Sequence, residues 1–151
     1  MSMLKQRIQD AMKAAMKAQD KPRLSTIRLM LAAIKQREID ERIELTCADI
    51  IAILDKMAKQ RRESIQCYQQ GGRNDLVASE EAELAIIQSF LPQPLTEGEL
   101  NQLIDMTIAM IETKGMAAMG QVMAQLKSSI QGRADSKLVS ELVKQKLLAY
   151  P

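Results

Sequence analysis

The chain has 151 residues, 46% hydrophobic and 26% charged, with 21 Lys+Arg against 19 Asp+Glu. That suits one compact domain, or one with a small appendage, and a net charge of +2 is too small to mark a dedicated nucleic-acid binder. No histidine is present, which excludes His-based acid/base work, Ser-His or Cys-His pairs and Glu-x-x-His metal motifs, and the three aromatics Tyr68, Phe90 and Tyr150 are too few for a base-stacking platform.

Helical periodicity runs along almost the whole chain. Leu4, Ile8, Ala11, Met12 and Ala15 predict a first helix over about residues 2–18. Pro22 suits a helix start, and Leu24, Ile27, Leu31 and Ile34 predict a second over about 22–39. Thr46-x-x-Asp49 resembles a capping box and opens a third helix, carried by Ile50, Leu54, Met57, Ala58, Ile65 and Tyr68 to Gly71-Gly72. A fourth is expected over about 75–90, capped by Asn74 or Asp75, with Leu76, Ile87 and Phe90 inward. Leu91-Pro92-Gln93-Pro94 cannot continue a helix, since each proline lacks a donor and disfavours helix before it.

Beyond that break, Thr96-Glu97-Gly98-Glu99 is a capping box. Leu100, Leu103, Ile104, Ile108 and Ile111 predict a fifth helix ending at Gly115. Met119, Val122, Met123 and Leu126 predict a sixth ending before Gly132, and Asp135 caps a seventh with Leu138, Val139, Leu142 and Val143. The fold class is therefore all-α without a sheet: an N-terminal four-helix unit over 1–91, then a smaller three-helix unit over 95–151. The longest apolar run, Leu29 to Ile34, is far short of a membrane span, and no signal or transit peptide is expected.

Several polar groups sit on apolar stripes. Glu38 shares the stripe of Leu24, Ile27, Leu31 and Ile34, Arg61 falls among Ile50, Leu54, Met57 and Ile65, and Glu80 and Glu83 flank the stripe of helix four. Inward carboxylates can bind a hard cation, but a guanidinium among them suits a structural ion network of Glu38, Arg61, Glu80 and Glu83. No metal, cofactor or catalytic residue is expected. Cys47 projects toward the apolar side of helix three as a core thiol, and Cys67 projects away from it. Two such cysteines form neither a disulfide framework nor a zinc site, and reduced thiols point to a cytoplasmic protein. Met106, Met110, Met116, Met119 and Met123 crowd the second unit, as core filling or as an adaptable partner groove.

Positive charge is unevenly spread. Residues 1–62 hold 14 basic and 8 acidic residues, a balance of +6; residues 63–92 hold one and five, a balance of −4; residues 93–151 hold six of each. The first three helices thus carry Lys13, Lys17, Lys21, Arg23, Lys56, Lys59 and Arg62, either as solvated faces or as phosphate contacts. In the second unit, Gly132-Arg133-Ala134-Asp135 opens a helix near Lys127, Lys137 and Lys144, which is a candidate anion site unless Asp135 fills it.

Taken in order, several segments resemble the GatB/YqeY family over nearly the whole length. They are Lys21 with Arg23-Leu24-Ser25-Thr26-Ile27-Arg28, then Ala32-Ala33-Ile34-Lys35 with Glu38-Ile39, and Lys59-Gln60-Arg61-Arg62-Glu63-Ser64. They continue with Gly72-Arg73, Asp75-Leu76, Glu80 to Glu83, Leu91-Pro92, Met119-Gly120, Val122-Met123 and Gly132-Arg133-Ala134-Asp135. The resemblance implies an all-helical two-part fold and an association with tRNA. The similar domain is the tRNA-binding C-terminal part of the B subunit of aspartyl/glutamyl-tRNA amidotransferase, a carbon–nitrogen ligase using glutamine as amido donor. The catalytic centres of that enzyme lie outside the domain, and this chain has no Gly-rich phosphate loop or Ser-Ser-Lys amidase motif of its own. The implied function is a non-catalytic tRNA-associated module, with tRNA or a tRNA-processing enzyme as partner. Its candidate contacts are Lys127, Arg133, Lys137 and Lys144, or Lys59 and Arg62. A helical protein-interaction adaptor is the alternative.

Overall fold

The computed structural model describes residues 2–149; Met1, Pro151 and the aromatic Tyr150 lie outside that range. Among the described residues there are seven α-helices, one 3-10 turn and no strand. The chain divides into two compact units, Met1–Pro92 and Gln93–Pro151.

In the first unit, α1 (Met3–Lys17) starts at Ser2, whose hydroxyl accepts from the Lys5 N–H. Its end is turned by Gln19, in the left-handed region at φ 56° without being glycine. Helix α2 (Lys21–Glu41) is capped by Asp20 and closed by Arg42 at φ 55°. Helix α3 (Cys47–Gln70) carries the full Thr46/Asp49 box, in which each partner bonds the other's backbone N–H. Helix α4 (Asn74–Gln88) is capped by neither Asn74 nor Asp75. Arg73 occupies the cap position without a side-chain bond, and the Asp75 carboxylate is taken by its guanidinium at 3.2 Å. The core joins Ile8, Ile27, Met30, Ile34, Leu45, Ile50, Leu54, Ile87 and Phe90, all 4% exposed or less. The one buried polar side chain among the described residues, Thr26, donates back to the Pro22 carbonyl at 3.2 Å, so its hydroxyl is satisfied.

The second unit has its own core of Leu100, Ile104, Val122, Leu126, Ile130, Val139, Val143 and Leu147. Helix α5 (Glu97–Met110) carries the Thr96/Glu99 box. It ends at Met110 rather than Gly115: Ile111 turns extended, at φ −98° and ψ 128°, and its side chain joins the core. Gly115, at φ +68°, then opens a 3-10 turn (Gly115–Ala118) that leads into α6 (Met119–Ile130). Helix α7 (Ser136–Ala149) follows the loop at Gly132, which is at φ +76°. There the Leu95 N–H donates to the Arg133 carbonyl at 2.9 Å, and Arg133 Nε donates to the Gln93 carbonyl at 2.9 Å. The segment after the prolines is thus strapped to the turn before α7.

Candidate nucleic-acid interface

Helices α3 and α4 bring the inward charges of the first unit together. Arg61 Nε donates to Glu83 Oε2 at 2.9 Å and lies 3.9 Å from Glu80 Oε2. These side chains are 16%, 30% and 21% exposed, so the cluster sits at the rim of the core and not inside it. Glu38 is not part of it. It lies near the far end of α2, where Lys5 Nζ donates to its Oε1 at 2.7 Å and the Leu45 N–H donates to its Oε2 at 3.2 Å. Lys5 first, then the Leu45 amide, hold the Glu38 carboxyl below its ordinary value. The helical projection placed Glu38 on the right face of its own helix, but the neighbour across that face at this level is α1. Among the described residues, no group of three or more His, Cys, Asp or Glu side chains is placed to hold a metal ion.

Cys47 is a second correction, because it is exposed and not in the core. As the first residue of α3 it meets the start of α1. The Leu4 N–H, the Ser2 hydroxyl and the Met3 N–H hold its thiol below its ordinary value. Cys67 is exposed. The methionines divide: Met119 and Met123 pack against the second core, while Met106 and Met110 stand 58% and 79% exposed and Met116 is partly so.

The basic candidates differ in how free they are. In the second unit, Arg133 has its Nε committed to the Gln93 carbonyl, and the start of α7 is already served, since Asp135 Oδ1 accepts from the Lys137 N–H at 3.2 Å. Lys127, Lys137 and Lys144 are exposed on two different helices. In the first unit, Lys13, Lys17, Lys56 and Lys59 are exposed, and among the described residues no carboxylate lies within ion-pair distance of them. Arg62 is half-buried, and its Nε is shielded from water without a hydrogen-bond partner. Lys35 and Gln9, which sequence reasoning did not single out as a pair, share a groove between α1 and α2 with Lys5, Lys13 and Glu38. Only the packing of two helices joins them, so no local signal marks them. No helix among the described residues is long and apolar enough to cross a membrane.

A family model described as Yqey-like protein matches residues 5–147. Among curated proteins, "Altered inheritance of mitochondria protein 41, mitochondrial" from Pyrenophora tritici-repentis is 32% identical over 142 residues, which cover 92% of this chain and 78% of that protein. The protein of the same name from Saccharomyces cerevisiae (strain YJM789) is 33% identical over 129 residues, 83% of this chain and 67% of that one. That from Eremothecium gossypii is 42% identical over 81 residues, 53% of this chain and 44% of that one. The names of all three place those relatives in mitochondria, which overturns the cytoplasmic location expected from reduced thiols. A free thiol reports a reducing surrounding and not an address, so cysteine usage carried no information on that choice.

Proposed function

The chain belongs to the Yqey-like protein family, and from that premise we propose that it is a non-catalytic module that binds tRNA through the phosphate backbone. The observation that carries this reading is the unneutralised positive charge of the first unit: Lys13, Lys17, Lys56 and Lys59 stand exposed with no ion-pair partner among the described residues. Unpaired exposed lysines release counterions when they meet phosphates, and that release drives sequence-independent binding. With no tryptophan or histidine and three aromatic residues, the chain has little with which to read bases, so shape recognition is the mode it suits. Support is weaker for the second unit, whose basic and acidic residues balance at six each and whose Arg133 is tied to the backbone. The resemblance to the tail of the tRNA-dependent amidotransferase gives the likeness a biochemical setting, as an appendage that presents tRNA to chemistry housed elsewhere.

Titration of labelled tRNA at low and moderate salt tests the reading. Binding is expected to weaken steeply with salt. Lys56→Glu with Lys59→Glu is expected to lower the slope by about two units, and Lys137→Glu with Lys144→Glu to lower it less. Absence of any complex at low salt removes tRNA from the function of this chain. Stable capture of a protein partner through Met106 and Met110 would then put the adaptor reading ahead.

A further inference from the structure

We propose that the groove between α1 and α2 is a phosphate seat, with Lys13 and Lys35 as its binding cations. The groove has a volume of about 550 Å³ and is lined by Lys5, Gln9, Met12, Lys13, Leu31, Lys35 and Glu38. That is the size range of a small-ligand site. Its construction follows from the sequence spacing. Lys5, Gln9 and Lys13 recur every four residues along one face of α1, and Leu31, Lys35 and Glu38 recur along one face of α2. The 2.7 Å Lys5–Glu38 pair joins these helices near the free end of their hairpin, and Met12 and Leu31, both partly buried against the core, supply the apolar floor.

The charges divide by task. Lys5 is held by Glu38, and Glu38 is further fixed by the Leu45 N–H, so this end of the groove is a rigid, nearly neutral wall. Lys13 and Lys35 are exposed and have no ion-pair partner among the described residues, one from each helix. Gln9, one turn before Lys13 on α1, adds an amide donor to the lining. Three lysines against one carboxylate leave the lining with two excess positive charges above a low-dielectric floor, an arrangement that concentrates anions. The groove of Lys21, Leu24, Ser25, Arg28 and Leu29 has the same excess of two positive charges, but all of its lining comes from α2, whereas Lys13 and Lys35 come from two helices. The one beside α5 and α6 holds one arginine, already bound to Gln93, and one glutamate. The ligand chemistry is therefore a phosphate group with two or more free oxygens. It rests on the tRNA reading for the source of that phosphate, but not for the seat itself.

The test uses the full chain and two probes, inorganic pyrophosphate and labelled tRNA, against Lys13→Glu/Lys35→Glu, the milder Lys13→Gln/Lys35→Gln, and Lys56→Glu/Lys59→Glu, which lies outside the groove and is expected to weaken tRNA binding while leaving the pyrophosphate shifts intact. Pyrophosphate is expected to shift the backbone amide resonances of Gln9, Lys13 and Lys35 in the wild type, and not in either groove variant. The tRNA salt slope is expected to fall by about two units in the groove variants. Both groove lysines are exposed, so unchanged thermal transitions will show that the variants fold. Pyrophosphate shifts at the groove without tRNA binding support the seat and overturn the tRNA reading. Binding of tRNA that both groove variants leave untouched, with no pyrophosphate shift in the groove, overturns the seat and leaves the tRNA reading standing.

Discussion

At the residue scale, three glutamates divide between two cations, Arg61 and Lys5. Arg61 holds Glu83 at 2.9 Å with Glu80 beyond it, at the rim of the first core. Arg61→Ala leaves two partly buried carboxylates without their cation and is expected to destabilise the first unit by about 1–3 kcal/mol, measured by chemical denaturation. The partial exposure of all three side chains keeps the figure below that of a fully buried pair. Glu38 has a pH signature. Its carboxyl is depressed in the folded state by Lys5 and the Leu45 N–H, so it contributes stability at pH values above its ordinary 4.5. That contribution is lost as pH falls from there through the lowered folded value. Thermal melts from pH 7 downward are expected to show wild type above Glu38→Gln at neutral pH, with the gap closing below pH 4.5. A gap that stays constant across this range contradicts the Lys5–Glu38 assignment.

At the element scale, helix starts are local affairs and helix ends are not. The Thr46/Asp49 and Thr96/Glu99 boxes each satisfy amide groups that the first turn leaves without partners. Thr46→Ala and Thr96→Ala are each expected to lower the stability of their own unit by about 1 kcal/mol, read from the denaturation midpoint. Gly115 is a different kind of boundary. Its φ of +68° lies where a side chain is strained, although no atom crowds the place a Cβ would take. Gly115→Ala is expected to cost about 1 kcal/mol through backbone strain alone. A neutral or stabilising result would show that the turn after Ile111 can relax.

At the scale of the whole molecule, the two cores share no buried residue, and the prolines at 92 and 94 separate them. A fragment ending at Pro92 keeps four helices and the complete first core. It is expected to unfold in one cooperative thermal transition, checked by circular dichroism and calorimetry. A fragment without a cooperative transition would mean that the second unit is needed to hold the first. Charge is divided between the same two pieces: the balance of +6 lies within residues 1–62, while residues 93–151 are neutral. The phosphate-driven binding proposed above therefore belongs to the first unit.

The sequence by itself determined the helical class, the seven helices, both capping boxes and the proline break, because each rests on spacing within a few residues of the chain. It also placed Arg61 with Glu80 and Glu83, since α3 and α4 form a hairpin and a helical projection suffices for neighbours so close in the chain. Glu38 and Cys47 escaped it for one reason. Both meet α1, through Lys5 and through Ser2 to Leu4, and a projection shows which face a side chain takes but not which element covers that face. Helix α5 stops at Met110 because Ile111 gains more by entering the core in extended form than by adding a turn, a choice made by packing. The groove carrying Lys13 and Lys35 was likewise decided only by the tertiary structure. Its cations lie 22 residues apart on two packed helices, a separation over which no periodicity in the chain can bring them into one groove.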